Sequence, residues 1–357
     1  MKKGVSMNLF TAIILLAIGF VLLVKGADWF VDGAAGIAEK LRVPQLIIGL
    51  TIVSFGTSAP ELATSIISAS QGSADIAVGN VIGSNITNIL LILGVASVIC
   101  PLVVQNSALR IDLPVLLASS VMIMLFGGFD GVIGHLDGWI MFLLSLAYMA
   151  FLVVYAVRES KKEAEFKGID TSHTVAVFEE GDEKEPTTKF GVWYEKMKEH
   201  SWFLVTITIV GLAAVVVGAL CGVIPGAKTI AQKIGIPENI IGLTIVAVGT
   251  SLPELVTCVI AAKKGETDIA VGDIVGSNIF NILRTVGLSA MILPLPFAKS
   301  FWVDGSIALF AAVLLFAFGA MKERKIQRWA GIVMLVLFAL YYVYLFLVAF
   351  GVIGTLA

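Results

Sequence analysis

The chain carries the same glutamate-bearing apolar segment twice. Gly49-Leu50-Thr51-Ile52-Val53 runs to Gly56-Thr57-Ser58-Ala59-Pro60-Glu61-Leu62, and Gly242-Leu243-Thr244-Ile245-Val246 runs to Gly249-Thr250-Ser251-Leu252-Pro253-Glu254-Leu255. Each copy continues into a second block, Asp75-Ile76-Ala77-Val78-Gly79 to Gly83-Ser84-Asn85-Ile86-x-Asn88, and Asp268-Ile269-Ala270-Val271-Gly272 to Gly276-Ser277-Asn278-Ile279-x-Asn281. One constant offset relates Ile37, Lys40, Pro44 and Gly49 to Ile230, Lys233, Pro237 and Gly242, and Glu61 to Glu254. About 28 of 46 positions are identical between Gly49–Gly94 and Gly242–Gly287, so the chain is a tandem duplication and not a coincidence of hydropathy.

The surroundings of the two glutamates are those of a membrane protein. Of 357 residues 58% are hydrophobic and 14% charged, and the mean hydropathy is +0.97. Apolar runs long enough to cross about 30 Å of hydrocarbon recur from end to end. Ten are expected, near 8–25, 43–70, 75–100, 111–127 and 136–157, then 202–222, 237–262, 268–295, 302–320 and 328–350. The run after Lys2 and Lys3 lacks a small-residue cleavage site and leads straight into repeat sequence, so it reads as a retained first span. The net charge of −2 carries no information about partners.

Five spans in each half is an odd number, so the second half starts on the opposite side of the membrane from the first. The expected fold is all-α and integral to the membrane: ten transmembrane helices as two inverted five-helix repeats with a shared midplane site. The halves are 1–157 and 201–357, joined by a polar linker at 158–200 that contains the runs Arg158-Glu159-Ser160-Lys161-Lys162-Glu163 and Glu179-Glu180-Gly181-Asp182-Glu183-Lys184-Glu185. The linker reads as a solvated segment with some helix at its edges, because it lacks a calcium-loop motif and is short for a sensor domain. With both termini outside, the inner loops hold Lys25, Lys40, Arg42, Arg110, the eight basic residues of the linker, Lys263, Lys264, Lys322, Arg324, Lys325 and Arg328. Only Lys2, Lys3, Lys228, Lys233 and Lys299 remain outside, so the linker is expected in the cytoplasm.

An ionisable side chain at membrane depth is expensive and ordinarily faces a partner or a pathway. Thr57 and Glu61 are four residues apart and share a helical face, with Ser58 beside them. Pro60 frees the carbonyl of Gly56 and weakens the helix there, which a membrane tolerates only where backbone is buried in protein or lines a cavity. Ser84 and Asn88 share another face. Two repeats meeting at midplane therefore offer a cage of oxygen alone, suited to hard cations: Ca²⁺ and Na⁺, with Mg²⁺ and Mn²⁺ in the same class. Glu61 and Glu254 balance one Ca²⁺ or two Na⁺.

Other polar residues take plainer readings. Cys100, Cys221 and Cys258 form no cluster and pack as small hydrophobes. His135, His173 and His200 lie in or beside loops. Asp75 and Asp268 read as helix caps, and Asn80 and Asp273 as capping or helix-contact residues ahead of any vestibule role. Arg284 sits in a predicted span, where it either pairs with a carboxylate such as Asp273 or extends through a polar crevice. Asn85-Ile86-Thr87 is a glycosylation sequon inside a span and is set aside.

Gly-Thr-Ser-x-Pro-Glu followed by Gly-Ser-Asn-x-x-Asn, present twice, resembles the α-repeats of the cation/Ca²⁺ exchanger superfamily, in particular prokaryotic sodium/calcium exchangers. The resemblance covers both repeats and the ten-span arrangement. It implies metal ligands at Thr57, Ser58, Glu61, Ser84 and Asn88 and at Thr250, Ser251, Glu254, Ser277 and Asn281. Backbone carbonyls near Ser54, Thr57, Ala247 and Thr250 would complete the set. It further implies alternating-access exchange of Na⁺ for Ca²⁺, commonly three for one and electrogenic, with the first and sixth spans as a sliding gate, without cofactor, nucleic acid or obligatory protein partner, in a prokaryotic cytoplasmic membrane. Some relatives, potassium-dependent ones included, hold aspartate where this chain has Asn281, which argues against potassium coupling and lowers the site charge. A cation/proton antiporter is the nearest alternative. A passive channel fits less well because one chain holds the whole pseudo-symmetric site, and an intramembrane hydrolase lacks a serine–histidine pair or zinc-binding histidines within the spans.

Overall fold

The computed structural model describes residues 8–40, 57–106, 108–166, 197, 200–235, 238–264, 267–321 and 323–352. These are almost wholly helical. We number the helices α1 (Leu9–Lys40), α2 (Ala59–Ser70), α3 (Ala74–Ile99), α4 (Ala108–Asp130), α5 (His135–Phe166), α6 (201–234), α7 (238–250), α8 (Leu252–Lys264), α9 (267–292), α10 (Ser300–Gly319) and α11 (Arg328–Ala349). Among the described residues, seven helices are long and apolar enough to cross a bilayer: Leu9–Gly26, Ala74–Ile99, Ala108–Asp130, His135–Tyr155, Ser201–Ala231, Ser300–Gly319 and Arg328–Ala349. The predicted spans 43–70, 237–262 and 268–295 are not among these seven. Residues 43–56 lie outside the described residues, the second is interrupted at Ser251, and the third carries Asp273, Asn278, Asn281 and Arg284.

Several helices outrun their expected spans. α1 continues to Lys40 and the sixth-span helix to Ile234, because Lys25, Asp28 and Lys228 end the hydropathy without ending helix propensity. Gly235, at φ 75°, supplies the left-handed residue that stops α6. Pro225 is accommodated just after a π-helical stretch, Gly218–Val223, where wider hydrogen-bond closure absorbs the missing N–H. Similar stretches lie at Thr87–Leu93 in α3, Gly242–Val246 in α7 and Asn281–Val286 in α9. α5 extends to Phe166, so the linker's first edge is helical.

The core has two parts. The larger is built from α3, α4, α5, α9, α10 and α11 and includes Ile86, Ile89, Leu93, Leu113, Phe301 and Leu315. The smaller joins α1 to α6 through Ala12, Leu16, Leu23, Val215, Ala219 and Val223, and leans on Ile76 of α3 and on Ile241 and Val246 of α7. Small residues allow α1 and α6 to touch along their backbones: a Cβ added at Gly19 would lie 2.6 Å from Val223 N, and one at Gly226 2.8 Å from the Ala12 carbonyl.

Among the described residues, four two-residue strands tie the ends of helices together. β1 (Leu102–Val103) pairs with β4 (Lys325–Ile326), and β2 (Val132–Ile133) with β3 (Leu295–Pro296), both antiparallel. The pairs Leu102↔Ile326 and Ile133↔Leu295 exchange under the offset that carries Glu61 to Glu254. The same shift carries Tyr148, which donates to Asp112 Oδ1 at 2.7 Å and clamps α5 to α4, onto Tyr341, which donates to Asp304 Oδ1 at 3.1 Å and clamps α11 to α10.

Candidate cation site

The two signature segments break at the same place. Ser58 (φ −85°, ψ 3°) precedes α2 and Ser251 (φ −84°, ψ 9°) divides α7 from α8, so the interruption falls two residues before each proline. Pro60 and Pro253 then occupy early helical positions, where the missing N–H costs little. Both serines stay linked to the helix that follows, through Leu62 N–H to the Ser58 carbonyl at 3.1 Å and Leu255 N–H to the Ser251 carbonyl at 3.0 Å.

The breaks bring the two halves into reciprocal contact. Ser251 Oγ donates to Glu61 Oε1 at 3.0 Å, and Ser58 Oγ donates to Glu254 Oε1 at 3.4 Å. Asn88 Nδ2 donates to Asn278 Oδ1 at 2.9 Å, and its counterpart Asn281 Nδ2 donates to Asn85 Oδ1 at 3.3 Å. Asn85 and Asn278 also give their Nδ2 groups to each other's backbone carbonyls, at 3.3 and 3.5 Å. Ser84 Oγ reaches the Ala247 carbonyl at 3.4 Å and lies 3.5 Å from Thr250 Oγ1. α3 and α7 approach closely enough for this because residue 83 is glycine, where a Cβ would lie 2.7 Å from Leu243 Cα.

The structure buries every predicted site residue that it describes. Glu61, Glu254, Thr57, Thr250, Ser58, Ser251, Ser84, Ser277, Asn88, Asn281 and Ala247 are all buried, the two glutamates completely. Ser54 lies outside the described residues. Among the predicted site residues, Glu61 Oε2, Glu254 Oε2, Asn88 Oδ1, Asn281 Oδ1 and Ser277 Oγ are buried without a hydrogen-bond partner. Each asparagine uses its amide N–H to hold position and presents its carbonyl oxygen unspent. Leftover acceptors beside two carboxylates are the donor set that a hard cation requires, since each would otherwise bear a desolvation cost of about 1–3 kcal/mol or more. Among the described residues no three or more His, Cys, Asp or Glu side chains group so as to hold a metal ion, so the oxygens on offer are chiefly those of amides, hydroxyls and the two glutamates.

Several readings of single residues change. Asp75 lies in the first turn of α3, two residues after Ser73 at the capping position, where its negative charge suits the helix N-terminus. Asp268 is likewise the second residue of its helix. Asp273 does not hydrogen-bond Arg284: both Asp273 oxygens lack a partner, and the Arg284 guanidinium lies 4.8 Å above the Phe280 ring. Asn80 makes the expected helix contacts, to the Glu61 carbonyl (3.2 Å) and Ser65 Oγ (3.0 Å), and accepts from Thr250 Oγ1 at 3.1 Å. His135 and His200 are exposed at helix starts, His173 lies outside the described residues, and all three cysteines are free. Asn85 and Asn278 take a positioning role that spacing alone did not single out; their signal was an identical place in both copies of Gly-Ser-Asn.

Comparison with known proteins agrees with this geometry. A family model described as sodium/calcium exchanger protein matches residues 11–154 and 203–347. The chain is 34% identical to the sodium/calcium exchanger MaX1 of Methanosarcina acetivorans over 93% of its own length and 98% of that protein. It is 36% identical to the inner membrane protein YrbG of Escherichia coli over 78% of its length and 79% of that protein. Among solved structures, it resembles the sodium-calcium exchanger NCX_Mj soaked with Na⁺ and Ca²⁺, with a TM-score of 0.61 and 29% identity, covering 93% of this chain and 98% of that one.

Proposed function

The chain belongs to the sodium/calcium exchanger protein family, a family of membrane antiporters within the cation/Ca²⁺ exchanger superfamily, and on that premise we propose that it exchanges Na⁺ for Ca²⁺ at one shared site. The observation that carries the proposal is the unspent oxygen on each of Glu61, Glu254, Asn88 and Asn281. Glu61 and Glu254 bind Ca²⁺ directly and share in binding Na⁺, with Thr57, Ser58, Ser84 and Asn88, and Thr250, Ser251, Ser277 and Asn281, as neutral ligands. The carbonyls near Ser54, Thr57, Ala247 and Thr250 complete the coordination. The protein works without a cofactor.

The architecture that goes with this is ten transmembrane helices in two inverted halves, 1–157 and 201–357, with both termini outside and the 158–200 linker in the cytoplasm. The reciprocal bonds from Ser58 and Ser251 to the opposite glutamates, and the exchange of strand pairings under one offset, support it. α1 and α6, which share a core of their own, are the pair that slides over the site to alternate access.

The test is ⁴⁵Ca²⁺ uptake into proteoliposomes loaded with Na⁺, against loading with K⁺ or an imposed proton gradient. Uptake should require internal Na⁺ and fall to background in Glu61→Gln and in Glu254→Gln. Uptake driven equally by protons would assign the protein to proton-coupled exchange, and uptake surviving both substitutions would make the glutamates structural.

A further inference from the structure

The two halves differ at one buried position that the exchange site does not use. Asn80 and Asp273 occupy the same place in the duplicated block. Asn80 has every need met: its amide donates to the Glu61 carbonyl and to Ser65 Oγ, and its oxygen accepts from Thr250. Asp273 has only acceptors to offer. The residue at the place of Ser65 is Cys258, whose thiol lies 3.9 Å from the Ala270 carbonyl, as Ser65 Oγ lies 3.4 Å from the Ala77 carbonyl, so α8 rests on α9 as α2 rests on α3. That equivalence sets Asp273 against the Glu254 turn in the way Asn80 is set against the Glu61 turn. Its side chain is 8% exposed and neither oxygen has a hydrogen-bond partner.

The helix extends the point. Asp273, Ser277 and Asn281 follow one another at intervals of four, which places them in a row on one face of α9. Asp273 Oδ1 and Oδ2, Ser277 Oγ and Asn281 Oδ1 are all buried and unpartnered, as is Glu254 Oε2. The matching row on α3 is largely satisfied, since Asn80 and Ser84 are hydrogen-bonded and only Asn88 Oδ1 is left over. The row on α9 therefore carries four unmet oxygens where the matching row on α3 carries one.

We propose that Asp273, with Ser277 and Glu254, forms an additional monovalent-cation subsite at the second-half end of the cage. A buried carboxylate without a partner is costly, and a hard oxygen row of this kind is compensated by a small hard cation. The single charge of Asp273, added to the two glutamates, makes three negative charges. Three Na⁺ neutralise them, whereas Ca²⁺ is already neutralised by Glu61 and Glu254. Asp273 thereby supplies the charge that an amide at Asn281 withholds, and it acts on Na⁺ more than on Ca²⁺. This inference rests on the exchange reading for its choice of Na⁺.

The experiment is the rise in melting temperature of the purified full-length protein with NaCl, balanced by choline chloride to constant ionic strength, and in parallel with CaCl₂. Asp273→Asn, which copies Asn80, should need about tenfold more Na⁺ for half the rise, a shift equivalent to one lost charge contact. Its CaCl₂ midpoint should stay within about twofold, and Asp273→Glu should hold Na⁺ closer to the wild type. A melting transition in choline alone shows that each variant is folded, and Asp273→Ser serves if the asparagine variant is not. An unchanged Na⁺ midpoint, equal shifts for Na⁺ and Ca²⁺, or a response to pH in place of Na⁺ would overturn the subsite. Absence of Na⁺-driven ⁴⁵Ca²⁺ uptake in the wild type would instead overturn the exchange reading, while the Na⁺ titration would still report on Asp273.

Discussion

At the scale of single residues, the site is set by how its amides are turned. Asn88 Nδ2 donates to Asn278 Oδ1 at 2.9 Å, which leaves Asn88 Oδ1 buried and without a partner. Removing that acceptor leaves the Asn88 amide free to turn, so Asn278→Ala should weaken Ca²⁺ binding by roughly tenfold, in line with about 1–3 kcal/mol for a lost buried hydrogen bond. Asn278→Asp keeps an accepting oxygen in place and should recover most of the affinity. Ca²⁺-dependent melting of the two variants separates these outcomes, and equal losses would mean that Asn278 only fills space. The two buried carboxylates were legible in the sequence because Glu61 and Glu254 stand alone in apolar surroundings, where carboxylates demand a reason. The asparagine lattice was not, since nothing in a linear motif says which residues of two distant copies will face each other. Asp273 was visible as a break in the repeat, but its unmet acceptors emerge only once Asn80's partners are known.

At the scale of elements, α1 and α6 meet through glycines and belong to neither wall of the larger core. A Cβ at Gly222 would overlap Gly19 Cα, so Gly222→Ala forces the two helices apart. None of the candidate ligands lies on α1 or α6, and ion binding at equilibrium should therefore be preserved within about twofold. Transport should fall by at least an order of magnitude if movement of this pair limits the rate, by the general rule that many turnover numbers are set by conformational steps. Comparing ⁴⁵Ca²⁺ flux with Ca²⁺-dependent melting tests this, and a parallel loss of both would place the damage in the site. Helix existence was legible from hydropathy, and the breaks from Pro60 and Pro253. The true ends of α1 and α6 were not, because Lys25 and Asp28 interrupt an apolar run without interrupting a helix. The π-helical stretches left no trace at all: Thr87–Leu93 and Asn281–Val286 carry no helix-breaking residue that would set them apart from ordinary helix.

At the scale of the whole molecule, the duplication determines what can be moved and at what electrical cost. On the exchange reading, the two glutamates neutralise Ca²⁺, and the proposed Asp273 subsite adds a third charge for a third Na⁺. An exchanger so charged carries Ca²⁺ as a complex with one net negative charge and three Na⁺ as a neutral one. Uptake of one Ca²⁺ into Na⁺-loaded vesicles then expels three positive charges and admits two, so one positive charge leaves the lumen in each cycle. A lumen-positive potential should speed Ca²⁺ uptake and a lumen-negative one should slow it. Each 100 mV is worth about 2.3 kcal/mol per charge, or roughly fifty-fold in the Ca²⁺ ratio at equilibrium. Potassium gradients clamped with valinomycin set the potential, and the ⁴⁵Ca²⁺ level at steady state reads the response. Exchange of two Na⁺, or of two protons, for each Ca²⁺ moves no net charge and would leave that level unmoved. In Asp273→Asn the loss of the third charge should draw the response toward that electroneutral limit, which ties the voltage dependence of the whole molecule to one carboxylate in its second half.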